Sequence, residues 1–267
     1  MYFFMLLVNV LLYKYVYQSS ETVNWKYFFF LQNMGTNPGQ FFGESWSLCV
    51  EEWFYLTFTI GLWLFMLFTH KIRKSIAYKI LAFIIGYIII FTCLRVFTPT
   101  PSGQFEKATA TYCRLDAIAY GVLAALCDKY CGHKISTYAS GIMGAVLTAA
   151  GVLLYLYRPV TGGWYIFYFN LAGIGLAMLV LFVKQLTYHY SPTIYTKPVT
   201  FISKISYSLY LLNLPVLFVL QKMFPQLHGY TLLMVCIFVL FLLAYTTYRF
   251  IERPFLRLQN SFIKLAK

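Results

Sequence analysis

The stretch GESWSLCVEEWFYL, from Gly43 to Leu56, places two adjacent glutamates at the start of a long apolar run. The run continues as TFTIGLWLF over residues 57–65, so no further charge follows Glu51 and Glu52 for more than a dozen positions. The whole chain has the same bias, because 60% of its 267 residues are hydrophobic and only 11% are charged. Soluble domains carry roughly 25% charged residues. The composition therefore predicts a membrane protein.

Apolar runs of about the length that crosses a bilayer, roughly 20 residues, recur along the chain. We distinguish eight runs, of which the first and the fourth are short: Tyr2–Tyr17, Val50–Thr69, Ile80–Phe97, Leu115–Asp128, Tyr138–Tyr157, Trp164–Val183, Ile205–Lys222 and Tyr230–Phe250. A soluble helical bundle would need polar outer faces, which these runs lack. The sequence predicts an all-α, polytopic transmembrane helical bundle of about eight spans, formed by a single integral-membrane domain over residues 1–267.

The net charge of +13 is distributed unevenly among the connections between these runs. Connections after the second, fourth, sixth and eighth runs are rich in basic residues: Lys71, Arg73, Lys74, Lys79, Lys129, Lys134, Lys184, Lys197, Lys204, Arg253, Arg257, Lys264 and Lys267. The alternate connections are poorer, with Lys26, Lys107, Arg158 and Lys222. This alternation is the positive-inside pattern, and it predicts that both termini are cytoplasmic. The basic excess therefore indicates topology rather than nucleic-acid binding.

The six cysteines form no CxxC pair, although Cys127, Cys131 and His133 lie close together beside a predicted cytoplasmic end. Structural metal sites usually have four ligands, so we predict that the protein has no metal site. The four histidines fall in predicted connections. Because general base catalysis usually requires a positioned histidine or carboxylate, the embedded carboxylates are the better catalytic candidates.

The two glutamates of the opening stretch lie at the predicted external end of the second run. In a helix that begins near Ser47, residues Ser47, Glu51 and Tyr55 share one face. Two interpretations remain open. Acidic residues near a helix N-terminus complement the helix dipole, and Trp46 and Tyr55 suit an interfacial aromatic belt. Adjacent glutamates, however, disfavour joint ionisation, which indicates a functional polar site.

A second polar group opens the fourth run, where Arg114 and Asp116 precede the apolar stretch AIAYG. Charged residues in membrane helices are costly and usually face a partner or a wet cavity. The two side chains point apart on a helix, so each needs its own partner. We expect Arg114 to pair with Glu51 or Glu52. The alternative is that Arg114 and Asp116 are two separate interface anchors.

A third polar group lies in the seventh run, SKISYSLYLLNLPV, where Tyr207, Tyr210 and Asn213 recur every three residues. These side chains share a wide helix face and are candidates for substrate binding. The alternative is that they hydrogen-bond neighbouring helices, as polar side chains in membrane bundles often do. The last run closes with IERPF, in which Glu252 and Arg253 are predicted interface anchors at the cytoplasmic face.

Four motifs occur in order on alternating spans: SWSLCVEEWFYL, CRLDAIAYGVLAA, ISYSLYLLNLPV and IERPF. Together they resemble the membrane-bound acyltransferase family 3, over nearly the whole chain from about Val8 onward. The resemblance implies a membrane enzyme that moves acyl groups, commonly acetyl, from cytoplasmic acyl-CoA. The acceptors it implies are hydroxyls of extracytoplasmic molecules such as cell-surface polysaccharides, and the location it implies is the plasma membrane.

The resemblance also implies roles for individual residues. Trp46, Ser47, Glu51 and Glu52 are expected at the external mouth of the reaction cavity, where the glutamates orient the acceptor hydroxyl and Tyr55 contacts the substrate. Arg114 and Asp116 are expected on the opposite wall, with Arg114 stabilising the oxyanion of the attacked thioester. The coenzyme contacts stay unassigned, with Arg253 as the one candidate.

The sequence departs from the family pattern at its beginning. The family usually starts with two further spans, which hold a histidine regarded as catalytic, and with an Arg-x-x-Arg stretch, whereas Met1 opens inside what resembles the third span. Many relatives also carry histidine where this chain has Asn213. Two alternatives to an active enzyme therefore remain, a truncated inactive remnant of the family and a membrane transporter. The transporter is disfavoured because the chain shows no internal repeat.

Overall fold

A computed structural model of the chain describes residues 1–16, 23–34, 41–98, 110–131, 137–157, 167–189 and 193–265. Within these residues the fold is helical and contains no strand. The helices are α1 (Tyr2–Leu11), α2 (Ser45–Phe68), α3 (Ile76–Phe97), α4 (Asp116–Cys131), α5 (Thr137–Leu156), α6 (Tyr168–His189), α7 (Thr193–Met223), α8 (Gly229–Thr247) and α9 (Arg253–Leu265). Short 3-10 turns cover Trp25–Phe29 and Thr111–Cys113. Wider π-helical turns at Leu12–Val16 and Tyr248–Glu252 extend α1 and join α8 to α9.

Among the described residues, each of the eight predicted apolar runs overlaps a helix, so the predicted helical membrane bundle is confirmed. Six helices among the described residues are long and apolar enough to cross a membrane, and the first and fourth runs form the shorter α1 and α4. Two helices extend beyond their predicted ends. Helix α7 begins at Thr193 rather than Ile205, and the last apolar run, which starts in α8, continues through the π-helical turn into α9. Backbone hydrogen bonds continue a helix past the apolar segment, which hydropathy alone does not detect.

The chain divides into two compact units. The central unit comprises Phe28–Asn37 and Trp46–Ser191, and the terminal unit comprises Met1–Tyr27, Pro38–Ser45 and Pro192–Lys267. Each unit has its own internal packing and is considered separately below. The single membrane domain expected from the sequence stays a prediction.

In the central unit, α4 packs between α3 and α6, and α5 packs along α6. A buried apolar cluster joins α2, α3 and α4 through Phe54, Tyr87 and Ala119. The ring of Phe54 meets that of Tyr87 edge-on at 5.8 Å between centroids. The hydroxyl of Tyr87 lies 2.8 Å from Thr57 Oγ1, so its polar tip is also satisfied. This packing brings the last turns of α3 and the first turns of α4 and α6 to the same end of the unit.

Glycines set the close contact between α5 and α6. A Cβ atom on Gly144 would lie 2.9 Å from the carbonyl oxygen of Gly175, and a Cβ on Gly175 would lie 2.4 Å from Thr148 Oγ1. Small residues allow membrane helices to approach closely where no hydrophobic force drives their association. The α5–α6 contact therefore depends on these two glycines.

We expect Gly175→Ala to destabilise the protein by about 1–3 kcal/mol, the usual cost of forcing extra atoms into a packed contact. The new Cβ atom would lie 2.6 Å from the backbone nitrogen of Thr148. A backbone atom cannot relieve this clash by a rotamer change, so the helices themselves would have to move. The measurement is thermal unfolding of the purified protein in detergent. Gly86→Ala in α3 is the matched control, because a Cβ there meets nothing within 4 Å. Equal melting temperatures for the two variants would contradict the prediction.

In the terminal unit, α7 packs against α8 and contacts α1. The segment that leads into α2 is held by aromatic contacts. Tyr27 donates its hydroxyl hydrogen to the Phe41 carbonyl at 3.0 Å, and the Phe42 ring stacks on Tyr2 at 5.5 Å. Phe42 has a φ of 49°, a left-handed conformation that costs a non-glycine residue on the order of 1 kcal/mol or more. The Phe42 carbonyl accepts the Ser45 N–H at 3.0 Å, so this strained turn positions Glu44.

Candidate active site

A buried ion pair lies at one end of the central unit. Arg95, in the last turn of α3, donates to Oδ2 of Asp116, the first residue of α4. The side chains are 0% and 1% exposed, so the pair is almost entirely removed from solvent. Thr92, one turn before Arg95, lies 3.5 Å from the same carboxylate oxygen. Asp116 therefore has a partner of its own, as its position predicted. That partner is Arg95, which was not among the residues predicted from the sequence.

Helix α6 joins this ion pair through one amide. Asn170, in the first turns of α6, donates from Nδ2 to Thr92 Oγ1 and to the Tyr120 hydroxyl, each at 2.8 Å. The resulting polar network, formed by Arg95, Asp116, Thr92, Asn170 and Tyr120, is called the Arg95 network below. It connects α3, α4 and α6 at the end that the charge pattern predicts to be external. The network is only partly satisfied, because Asp116 Oδ1, Asn170 Oδ1 and the Nε and Nη1 atoms of Arg95 have no hydrogen-bond partner among the described residues.

Arg114 lies beside this network. Its guanidinium carbon is 3.8 Å from the centre of the Phe169 ring, and that of Arg95 is 5.0 Å from the same ring. A cation over an aromatic face is stabilised by about 0.5–2 kcal/mol, more when it is desolvated. Two guanidiniums thus face one aromatic ring and one carboxylate, which leaves a local excess of positive charge. Within the described part of the chain, the buried Nε atoms of Arg95 and Arg114 have no hydrogen-bond partner.

The predicted pairing of Arg114 with Glu51 or Glu52 is wrong. The ion pairs among the described residues are Arg95–Asp116 and Lys184–Asp128. Phe169 instead receives the Arg114 guanidinium, and Glu51 accepts a hydrogen bond from its own helix. The Arg114 guanidinium is therefore stabilised by the Phe169 ring, where a carboxylate partner was predicted.

The opening stretch forms the first turns of α2, with Trp46 and Ser47 half-buried. The Tyr55 hydroxyl donates to Glu51 Oε1 at 3.0 Å, which confirms that these two residues share a helix face. Tyr55 is 52% exposed, and Glu52 is also exposed. The adjacent glutamates thus differ, because one is engaged by a tyrosine and the other faces outward.

A second acidic site lies in the terminal unit and was missed by the sequence analysis. Glu44, 4% exposed, accepts the Leu214 N–H at Oε1 over 3.2 Å, and its backbone carbonyl accepts the Tyr210 hydroxyl hydrogen at 2.9 Å. Burial raises the pKa of the Glu44 carboxyl to about 7, against the opposing effect of the backbone hydrogen bonds. This group can exchange a proton near neutral pH. The sequence feature that could have indicated this site is the position of Glu44, an acidic residue immediately before an apolar span.

The other predicted residues of α7 have different environments. Tyr210 reaches Glu44, whereas Tyr207 is 38% exposed and Asn213 is half-buried. Ser208 on the same helix is buried and donates to Glu252 Oε1 at 2.6 Å. Glu252 ends the π-helical turn before α9, so it has a partner within the protein in addition to its predicted interface position. Such π turns are frequent at functional sites.

Some predicted features lie beyond the residues that the structure describes. His133 of the cysteine and histidine group is one of them, as are Lys107, Lys134, Arg158 and Lys267 of the charge pattern. The side chain of Cys131 is also outside the described set.

Long apolar helices that enclose a buried ion pair define a multi-pass helical membrane protein with an internal polar site. The family model for acyltransferase family 3, described as an acyltransferase domain, matches residues 1–249 of this chain. The chain therefore belongs to this acyltransferase family, and the resemblance found in its motifs is confirmed. No match was found among curated proteins or among solved structures.

Proposed function

We propose that the protein is a membrane O-acyltransferase that transfers an acyl group, most simply acetyl, from cytoplasmic acyl-CoA to an extracytoplasmic hydroxyl. A cell-surface polysaccharide is the proposed acceptor, and the plasma membrane is the proposed location. The observation that carries this proposal is the buried Arg95–Asp116 pair with Arg114 beside it. Ionised side chains within membrane helices are costly and usually serve function.

The chemistry of transfer requires stabilisation of negative charge. The acceptor oxygen attacks the thioester carbonyl carbon, a tetrahedral oxyanion forms, and the C–S bond breaks as the ester is made. The hydroxyl proton ends on the thiol of the released coenzyme, so the step is balanced without a further reactant. Fixed donors aimed at the oxyanion are usually the largest catalytic contribution. Arg114 suits this role, because its charge is held in place by Phe169 and its Nε is not bonded to another described residue.

The other residues of the central unit would position the reactants. Asp116 and Arg95 hold each other and fix the start of α4, and Arg114 lies two residues before that start. Glu51 and Tyr55, which are bonded to each other, would orient the acceptor hydroxyl together with the exposed Glu52. Trp46 and Ser47 would complete the acceptor contacts. Substrate-binding roles for Tyr207, Tyr210 and Asn213 stay predictions.

The test uses inverted membrane vesicles that contain the protein and enclose candidate glycans, with labelled acetyl-CoA added outside. We expect Arg114→Ala to lower the turnover number roughly a hundred- to thousandfold, as loss of an oxyanion donor does. The Michaelis constant for the acceptor should change little, because the lost interaction belongs to the transition state. Arg114→Lys should recover only part of the rate, since an ammonium lacks the planar group that stacks on Phe169.

Arg257→Ala is the control, since Arg257 is an exposed basic residue of α9. It should transfer acetyl groups at the rate of the unchanged protein. Covalent transfer that survives Arg114→Ala would remove the proposed role of this residue. Label that crosses the membrane without becoming attached to glycan would favour a transporter over an acyltransferase.

A further inference from the structure

A cavity of about 270 Å³ lies at the beginning of α7, in the terminal unit. The described residues that line it are Lys197, Thr200, Phe201 and Lys204. They follow one another at intervals of three or four residues, so they share one face of the helix. Two lysines, a threonine and a phenylalanine therefore line the same concave surface.

The dimensions of the helix separate the two lysines by about two turns. Seven residues at 1.5 Å each place their Cα atoms about 10.5 Å apart, with Thr200 between them. Lysine side chains are long and flexible, so their ammonium groups can converge on one phosphate or contact two neighbouring phosphates. The arrangement suits a ligand with more than one phosphate group better than a single small anion.

The charge of this cavity is not compensated within the described chain. Lys184 is paired with Asp128, and Lys79 donates to the Thr69 carbonyl at 2.6 Å. Lys197 and Lys204, by contrast, have no acidic, carbonyl or aromatic partner among the described residues. The positive-inside pattern explains why lysines lie at this end of α7. It does not explain why two of them line a cavity together with a hydroxyl and a ring.

We propose that this cavity binds the phosphates of a soluble, phosphate-bearing acyl donor of the coenzyme A class. Lys197 and Lys204 would neutralise the phosphates, Thr200 would donate a hydrogen bond, and Phe201 would offer an apolar face to the organic part of the ligand. The charge pattern predicts that this end of α7 is cytoplasmic, where such a donor is found. The inference rests on the proposed function, since acyl-CoA is the donor proposed there.

Phosphate is also present in lipid headgroups, so the experiment separates the two sources. Protein in nanodiscs of zwitterionic phosphatidylcholine is titrated with coenzyme A at low salt. The double variant Lys197→Gln with Lys204→Gln should bind coenzyme A at least about tenfold more weakly, because two charge-assisted contacts are lost. Affinity of the unchanged protein should fall as salt is added. Inorganic pyrophosphate should compete with coenzyme A.

The control is Lys71→Gln with Lys74→Gln, which removes two exposed basic charges of the α2–α3 connection, also predicted to be cytoplasmic. Its dissociation constant for coenzyme A should lie within about twofold of that of the unchanged protein. This change is smaller than the loss of one charge-assisted contact would cause. Equal losses in both double variants would overturn the site, since only net charge would then matter. Loss of co-purified anionic lipid with coenzyme A binding intact would assign the cavity to a headgroup and overturn the proposal.

Two measurements, coenzyme A binding and acyl transfer, distinguish failure of the phosphate site from failure of the proposed function. If coenzyme A binds through these lysines but no acyl transfer occurs in vesicles, the proposed function fails and the phosphate site stands. If transfer occurs and its Michaelis constant for acetyl-CoA is unchanged by the Lys197 and Lys204 substitutions, the phosphate site fails and the proposed function stands.

Discussion

Arg95→Ala is expected to lower the free energy of unfolding by about 3–5 kcal/mol, the usual cost of removing one partner from a buried ion pair. The substitution would leave the Asp116 carboxylate 1% exposed and without its cationic partner. Thr92 lies at 3.5 Å and cannot replace a guanidinium. Asn170 would remain hydrogen-bonded to Thr92 and Tyr120. Arg114 would be left as the neighbouring cation, but it forms no ion pair with Asp116 among the described residues. The measurement is thermal unfolding in detergent, together with the recovery of monodisperse protein.

A double-mutant cycle separates the contributions of the pair. Replacing both partners, with Arg95→Met and Asp116→Leu, should recover most of the lost stability, because the buried carboxylate is then removed together with the guanidinium that pairs with it. Acyl transfer should not be recovered, since the start of α4 would no longer be held as Arg114 requires. A stable Arg95→Ala variant, or a double variant as unstable as the single one, would contradict the predicted contribution of the buried pair to stability.

Glu44→Gln is expected to stabilise the protein at pH 8 and to remove part of the dependence of stability on pH. The pKa of Glu44 is raised to about 7 in the folded protein by burial. Between the ordinary pKa of a glutamate and about 7, the folded state therefore binds more protons than the unfolded state, and stability falls as pH rises. At pH 8 the buried carboxylate costs up to about 3 kcal/mol. Glutamine keeps an oxygen that can accept the Leu214 N–H but does not ionise.

The experiment compares melting temperatures from pH 5 to pH 9 in the same detergent. The unchanged protein and Glu44→Gln should coincide near pH 5 and diverge progressively toward pH 8. Glu52→Gln is the matched control, because Glu52 belongs to the same stretch but is exposed. A constant difference between Glu44→Gln and the unchanged protein at every pH would contradict the raised pKa and indicate a purely structural effect of the amide.

The sequence alone determined the class of the protein, the approximate positions of its apolar helices and its family. Runs of apolar residues are set by the thickness of the bilayer, so their length and spacing can be read without knowing how the helices pack. The contact between Tyr55 and Glu51 was also predictable, since the two residues are one helical turn apart. Local spacing was sufficient in each of these cases.

Only the tertiary structure decided which polar groups meet. Arg95 pairs with Asp116 across two helices, Phe169 receives Arg114, and Glu44 meets the backbone of α7. In a soluble helix an amphipathic stripe shows which face is buried, and partners can be inferred from it. Helices in lipid are apolar on every side, because the bilayer and the protein interior are similar solvents. The rotation of each helix about its axis, and therefore the partner of each embedded charge, is settled by packing between residues distant in sequence.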